Sequence, residues 1–158
     1  MTSLLLVCAA NLCRSPMAEA VLRARAAPLG LTAVASAGVF ASSRAAPVDR
    51  RAHQVLSSRG YALDKRWRSR RVRSEDFDTH DLILAMDRTV LRALRSMRPP
   101  VSPARIGLFL NGMTGLGLDE VPDPYYGATD GFALVLDLIE ARVQTWPSEA
   151  RAFSTDLD

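Results

Sequence analysis

The apolar run Leu4-Leu5-Leu6-Val7 stops at Cys8, and the short polar loop Ala9 to Arg14 follows it. Ser15-Pro16 then opens an amphipathic stretch from Met17 to Ala27. An apolar run of that length, ended by a loop and followed by a helical pattern, reads as strand, turn and crossover helix. Pro16 suits the first helical turn, where a backbone N–H lacks an intrahelical partner anyway. A chain that begins this way is committed to a βαβ unit, and βαβ units build parallel sheets with helices on their faces.

The rest of the chain keeps the alternation. Strands are predicted at Ser3–Val7, Leu31–Ser36, Asp81–Met86 and Arg105–Leu110. Helices are predicted at Met17–Ala27, Val48–Arg59, Arg88–Met97 and Gly131–Gln144. Gly60 reads as the cap that ends the second helix, and Pro99-Pro100 stops the third. The strand segments are apolar runs without strict alternation, which suits strands covered on both faces. The expected fold is therefore three-layer α/β, with a small parallel four-stranded sheet, helices on both faces and a phosphate-sized loop after the first strand. At 158 residues, one domain over 1–158 is the natural expectation. A composition that is 48% hydrophobic and 23% charged can bury a core without metals or disulfides.

The chemistry is concentrated in the first loop. Successive backbone N–H groups from Ala9 to Ser15 can point inward as an anion nest, and the following helix adds its positive end. A thiol at the loop entrance, Cys8, and a guanidinium at its exit, Arg14, can face one bound oxyanion. The thiol would attack it, and the guanidinium would hold its oxygens in a fork. Ser15 can donate to the Cys8 sulfur, and Asn11 can hold the loop with its amide while tolerating a left-handed backbone. In parallel sheets such sites lie at the carboxyl ends of strands, which is where Cys8 falls. Cys8 and Cys13 are the two cysteines of the chain and share this loop, so neither can staple distant segments. Cys13 reads either as core filler or as a redox partner that captures an oxidised Cys8.

The string VCAANLCRSPMAE, placed at the end of a first strand, resembles the signature of the low-molecular-weight protein tyrosine phosphatases, bacterial members included. Ser36-Ala37-Gly38, Asp81-Leu82-Ile83-Leu84-Ala85-Met86-Asp87 and Asp123-Pro124-Tyr125-Tyr126-Gly127 resemble further family stretches, in the same order. The resemblance implies a protein-tyrosine-phosphatase that works through a phosphocysteine intermediate. Cys8, Arg14 and Asp123 would be catalytic. Ala9, Ala10, Asn11, Leu12, Cys13, Ser15, Phe40, Tyr125 and Tyr126 would bind substrate. It implies no cofactor and no metal, a tyrosine-phosphorylated protein as partner, and inorganic phosphate as product and competitive inhibitor. A bacterial tyrosine kinase or exopolysaccharide-synthesis protein is the expected substrate. Two residues depart from the family pattern. Ala10 stands where Gly is usual, which would be costly only at positive φ. Segment 39–45 lacks the usual tryptophan, leaving Phe40 as the candidate replacement.

Asp123, bracketed by Pro122 and Pro124 on a stiff extended loop, is the candidate acid for the leaving phenolate. Asp119 and Glu120 are the alternatives, without the bracket. Tyr125 and Tyr126 read as walls of a phenyl slot or as ordinary packing. Competing functions are a thiol-dependent arsenate reductase, a phosphoarginine phosphatase, and a silent phosphotyrosine-binding module. Leu12, bulky and apolar, favours phosphotyrosine over phosphoarginine, and the complete Cys8, Arg14 and Asp123 set argues against a silent binder.

The net charge is +3, with every basic residue but Lys65 an arginine. Such a balance is compatible with an anionic substrate without requiring one. The run from Lys65 to Arg73 reads as a solvated loop or as a docking patch for an acidic or phosphorylated partner; no nucleic-acid motif accompanies it. His53 and His80 are scattered, which disfavours a metal site. No apolar run approaches a membrane span, and the N-terminus lacks a signal-peptide pattern, so a cytoplasmic protein without membrane insertion is expected.

Overall fold

The computed structural model describes residues 2–113, 119–128, 130–148 and 153. Four strands, β1 (Thr2–Cys8), β2 (Leu31–Gly38), β3 (Leu82–Ala85) and β4 (Arg105–Leu108), form one sheet in the order β2-β1-β3-β4. All three pairings are parallel. The helices are α1 (Arg14–Ala24), α2 (Arg50–Ser58), the short α3 (Asp76–Thr79), α4 (Arg88–Met97) and α5 (Asp130–Gln144). The expected three-layer α/β architecture is the one found.

Alternation along β1 builds two cores. Leu4 and Leu6 face one side, where α1, α2 and α5 supply Met17, Val21, Leu56, Phe132 and Ile139. Leu5 and Val7 face the other, where Phe77 of α3 and Val90, Leu91 and Leu94 of α4 cover them. Being buried on both faces, β1 has no polar position between Leu4 and Val7, which is why it reads as a continuous apolar run.

The order of the strands positions the site. From β1 the chain crosses to β2 on one side and later returns to β3 on the other, so the connections diverge at the carboxyl end of β1. A crevice opens at such a divergence. Cys8 is the last residue of β1 and sits in it.

Most element boundaries shift by one to three residues from those expected, and one short helix was not expected at all. Helix α1 begins at Arg14 rather than Met17, because Cys13 is its N-cap and the Cys13 carbonyl accepts the Met17 N–H at 3.1 Å. Strand β2 runs on to Gly38, where the segment after α2 adds a bridge at Arg71. The four-residue α3 is too short to show a helical period in sequence.

Candidate active site

The loop from Ala9 to Cys13 turns at Asn11, the single non-glycine residue with positive φ, 57°, among those described. Asparagine accepts that backbone at little cost, and here its amide is used in full. Nδ2 donates to Ser15 Oγ at 2.8 Å and to Ser36 Oγ at 3.0 Å, while Oδ1 accepts from the Arg70 N–H at 2.9 Å. Ala10 is not at positive φ, so its missing glycine carries no backbone strain. Gly38 is where small size is required: a Cβ there would lie 2.6 Å from the Ala9 carbonyl oxygen and 2.9 Å from the Asn11 nitrogen.

The Cys8 sulfur is buried at the base of this loop. It accepts the Asn11 N–H at 3.2 Å and lies 2.9 Å from Ser15 Oγ. Ser15 Oγ already accepts from Asn11, and its own proton faces the sulfur at 2.9 Å and, at the longer distance of 3.4 Å, the Ala37 carbonyl. The chain of polar groups continues inward. Ser36 donates to Glu19 Oε1 at 2.8 Å, and Trp67 Nε1 donates to the same oxygen at 3.3 Å. At Cys13, burial first, then the Asp49 carboxylate, pushes the thiol up to about 12.

Arg14 is 3% exposed. Its Nη1 donates to Asp87 Oδ2 at 2.7 Å and to the Val121 carbonyl at 2.9 Å. Those bonds fix the guanidinium plane while Nη2, 3.7 Å from Asp123 Oδ2, is left toward the crevice. Asp87 is held in turn, since its other oxygen accepts the Val90 N–H as the N-cap of α4. Asp123 is half exposed, with Oδ1 accepting the Tyr125 N–H at 3.1 Å. The turn closes when Gly127 N–H reaches the Pro124 carbonyl at 3.1 Å. Tyr125 and Tyr126 meet edge to face at 4.8 Å, and Arg51 donates to the Tyr125 carbonyl and lies over its ring. Arg51 is itself clamped by Asp49, the N-cap of α2.

A cavity of about 330 Å³ gathers Cys8, Arg14 and Asp123 with Leu12, Tyr125 and Tyr126; Ala9, Ala10 and Cys13 complete it. Three expected substrate-binding residues are not in its lining. Asn11 and Ser15 are fully buried behind the loop, where they support Cys8. Phe40 is 60% exposed and outside the cavity; its N–H bonds to the Ala9 carbonyl at 2.8 Å, so its backbone steadies the loop. Asp119 and Glu120 also stay out. Asp119 pairs with the Arg88 guanidinium, and Glu120 accepts the Arg88 N–H at 2.8 Å.

A cavity that gathers a thiol, an arginine and a carboxyl beside a tight loop invites comparison with known enzymes. The family model for low molecular weight phosphotyrosine protein phosphatases matches residues 3–153. The chain belongs to that family. A low molecular weight protein-tyrosine-phosphatase of Streptomyces coelicolor is 41% identical over 142 residues, covering 85% of each chain. The crystal structure of a low molecular weight phosphotyrosine phosphatase from Vibrio cholerae O395 superposes with a TM-score of 0.80 at 36% identity, covering 92% of this chain and 97% of that one. Wzb of Vibrio vulnificus, solved in complex with benzylphosphonate, superposes with a TM-score of 0.78 at 28% identity, covering 91% and 95%. The protein is thus a protein-tyrosine-phosphatase by family.

Several supporting residues had no role assigned from sequence: Asp87, Glu19 and Ser36, although they fall in the family-like stretches, and Arg70 and Arg51. Asp87 had a usable signal, since it follows directly on the carboxyl end of β3, at the same edge of the sheet as Cys8. Glu19 closes the signature string that begins at Val7, but on α1 it occupies what looks like an ordinary helical position, and nothing there marks it as the acceptor for Ser36 and Trp67. No group of three or more histidine, cysteine or acidic residues among those described could hold a metal ion. No helix among them is long and apolar enough to cross a membrane.

Proposed function

We infer that the phosphatase hydrolyses phosphotyrosine in proteins through a covalent phosphocysteine, with residues 1–158 acting as one catalytic domain. The observation that carries this reading is the Cys8 sulfur, which accepts hydrogen bonds inside a cavity that also holds Arg14 and Asp123. In the first step the Cys8 thiolate attacks phosphorus; the S–P bond forms as the bond to the phenolic oxygen breaks. Asp123, as carboxylic acid, gives its proton to that oxygen. Arg14 and the loop N–H groups of Ala9 to Ser15 hold the equatorial oxygens, a charge best stabilised by donors fixed before the reaction. In the second step Asp123 takes a proton from water, the water oxygen attacks phosphorus, and the S–P bond breaks to return the thiolate. Ser15 stabilises the departing sulfur with its hydroxyl proton. Inorganic phosphate leaves, and by occupying the same donors it competes with substrate.

Specificity for an aryl ester is supported by Leu12, Tyr125 and Tyr126 around the cavity mouth. The benzylphosphonate bound by Wzb has the same parts, a ring and a tetrahedral anion. A bacterial tyrosine kinase or exopolysaccharide-synthesis protein is the substrate this reading favours, because segment 39–45 departs from the usual tryptophan pattern, as the bacterial members that act on such kinases also do. The test is a turnover panel of phosphotyrosine, phosphoserine and phosphoarginine peptides with arsenate as a further substrate. Phosphotyrosine should exceed the others by about two orders of magnitude in kcat/KM, the scale expected when a pocket is built around one leaving group. Equal rates on phosphoarginine, or thiol-dependent reduction of arsenate as the dominant reaction, would overturn it.

A further inference from the structure

A second cavity, about 360 Å³, lies beside the N-terminus of α2. Val48, Leu63 and the half-buried Trp67 supply its apolar lining, and the exposed Arg50, Lys65 and Arg68 supply positive charge. One carboxylate also lines it, Asp64, whose Oδ1 accepts the Arg66 N–H at 2.7 Å, so three cations share the cavity with a single acid. Among the described residues the side chains of Arg50, Lys65 and the neighbouring His53 make no hydrogen bond or ion pair. Arg68 donates to the Lys65 and Trp67 carbonyls, which leaves its charge without an anionic partner.

The basic run 65–73 is thereby divided by the fold. Arg70 is consumed by a bidentate pair with Asp76, and Arg71 by the Ala41 carbonyl. Lys65 and Arg68 are left at the cavity. Arg50 adds a second sign of an unfilled site. A cation at a helix N-terminus opposes the helix dipole. Its neighbour Arg51 is compensated by Asp49, while Arg50 is not.

Both sides of this cavity are tied to the phosphate loop. Asp49, between Val48 and Arg50, donates its N–H to the Leu12 carbonyl at 2.9 Å, and Leu12 lines the catalytic cavity. Arg70, two residues beyond Arg68, donates its N–H to Asn11. Both cavities therefore border segments that are hydrogen-bonded to the same short loop. An extended peptide advances about 3.3–3.6 Å per residue, the scale on which flanking side chains depart from the phosphotyrosine.

We propose that this cavity is a docking subsite for the acidic flank of the protein substrate: an aspartate, glutamate or second phosphate carried a few residues from the phosphotyrosine held over Cys8. It rests on the protein-phosphatase reading above. Arg50, Lys65 and Arg68 make charge-assisted bonds to that anion, and Trp67, fixed through Nε1 to Glu19, packs on its carbon stem.

Three substrates test it: a small aryl phosphate, a phosphotyrosine peptide with neutral flanks, and the same peptide with glutamates on either flank. The wild type should favour an acid-flanked peptide by about ten-fold in kcat/KM at low salt, through KM, with the preference shrinking as salt rises. Lys65→Glu with Arg68→Glu should abolish the preference and leave aryl phosphate turnover unchanged. The milder pair Lys65→Gln with Arg68→Gln should give an intermediate value, guarding against misfolding of the first. A wild type indifferent to flanking charge, or a double variant that keeps the preference, would overturn the subsite. Absence of turnover on all three substrates would instead overturn the phosphatase reading.

Discussion

Each reacting side chain in the cavity is set by a neighbour that does not react. Ser15 receives a hydrogen bond from Asn11, so its own proton can serve Cys8; Arg14 is aimed by Asp87 and the Val121 carbonyl. Asp123 has looser support, a single N–H from Tyr125, as suits a group that must exchange protons with substrate and water. Asp123→Asn should slow hydrolysis most for esters with poor leaving groups, because good ones depart without a proton. A series of substituted aryl phosphates should show a steeper dependence on leaving-group pKa than the wild type, with about 10²- to 10⁴-fold loss at the poor end. An unchanged slope would remove Asp123 from that role. Cys13, pushed up to about 12 by burial and Asp49, is a neutral thiol at ordinary pH. A thiol attacks sulfur only as thiolate, so capture of a Cys8 sulfenic acid, releasing water, should be slow at neutral pH and quicken as pH rises. Peroxide-treated wild type should recover with a dithiol more fully than Cys13→Ser, and the gap should widen with pH. Equal recovery at every pH would leave Cys13 as a packing residue.

At the scale of elements, the phosphate loop is held from outside by the segment between α2 and α3. Gly38 N–H bonds to the Arg70 carbonyl at 2.9 Å, and the Arg70 N–H holds Asn11. That segment is anchored by Asp76 at the start of α3, which takes two bonds from the Arg70 guanidinium and one from the Arg73 N–H. Burial works against the Asp76 charge, but Arg70 and the Arg73 N–H together outweigh it and hold the carboxyl below its usual range. A group depressed in the folded state stabilises above its unfolded value, about 3.9, and loses that contribution as pH falls through the folded value. Asp76→Asn should therefore cost about 2–3 kcal/mol at neutral pH, and the difference from wild type should fade under acid denaturation. A pH-independent difference would contradict the assignment. Gly38→Ala tests the other side of the loop, because its Cβ would meet backbone atoms of Ala9 and Asn11. The expected costs are about 1–3 kcal/mol in urea titration and up to about a hundred-fold in kcat. Little of this clamp was legible in sequence. Periodicity found β1 to β4 and the four longer helices, since each buries an apolar set. It missed α3, which is four residues long, and it placed the start of α1 three residues late, because a cysteine N-cap gives no sequence signal.

Over the whole molecule, the parallel order β2-β1-β3-β4 brings residues far apart in the chain to one crevice. Cys8 comes from the end of β1, Asp87 from the end of β3, and Val121 with Asp123 from the connection that leads to α5. The string around Cys8 was legible because one local loop carries both the proposed nucleophile and the proposed anion donors. Asp87 and Val121 were not, since their meeting with Arg14 spans 73 and 107 residues and depends on strand order. Phe40, the candidate replacement for the usual tryptophan, is exposed and outside the cavity lining, while its backbone N–H bonds to the Ala9 carbonyl. The central claim is that this convergence drives phosphoryl transfer onto the Cys8 sulfur. Its most direct measurement is mass spectrometry of the enzyme denatured rapidly within the first turnovers of an aryl phosphate and kept in alkali, where the S–P bond is more stable. The account predicts one added phosphoryl group on the peptide containing Cys8, absent in Cys8→Ser, which also loses turnover. Rapid turnover with no adduct, or substantial activity in Cys8→Ser, would contradict it.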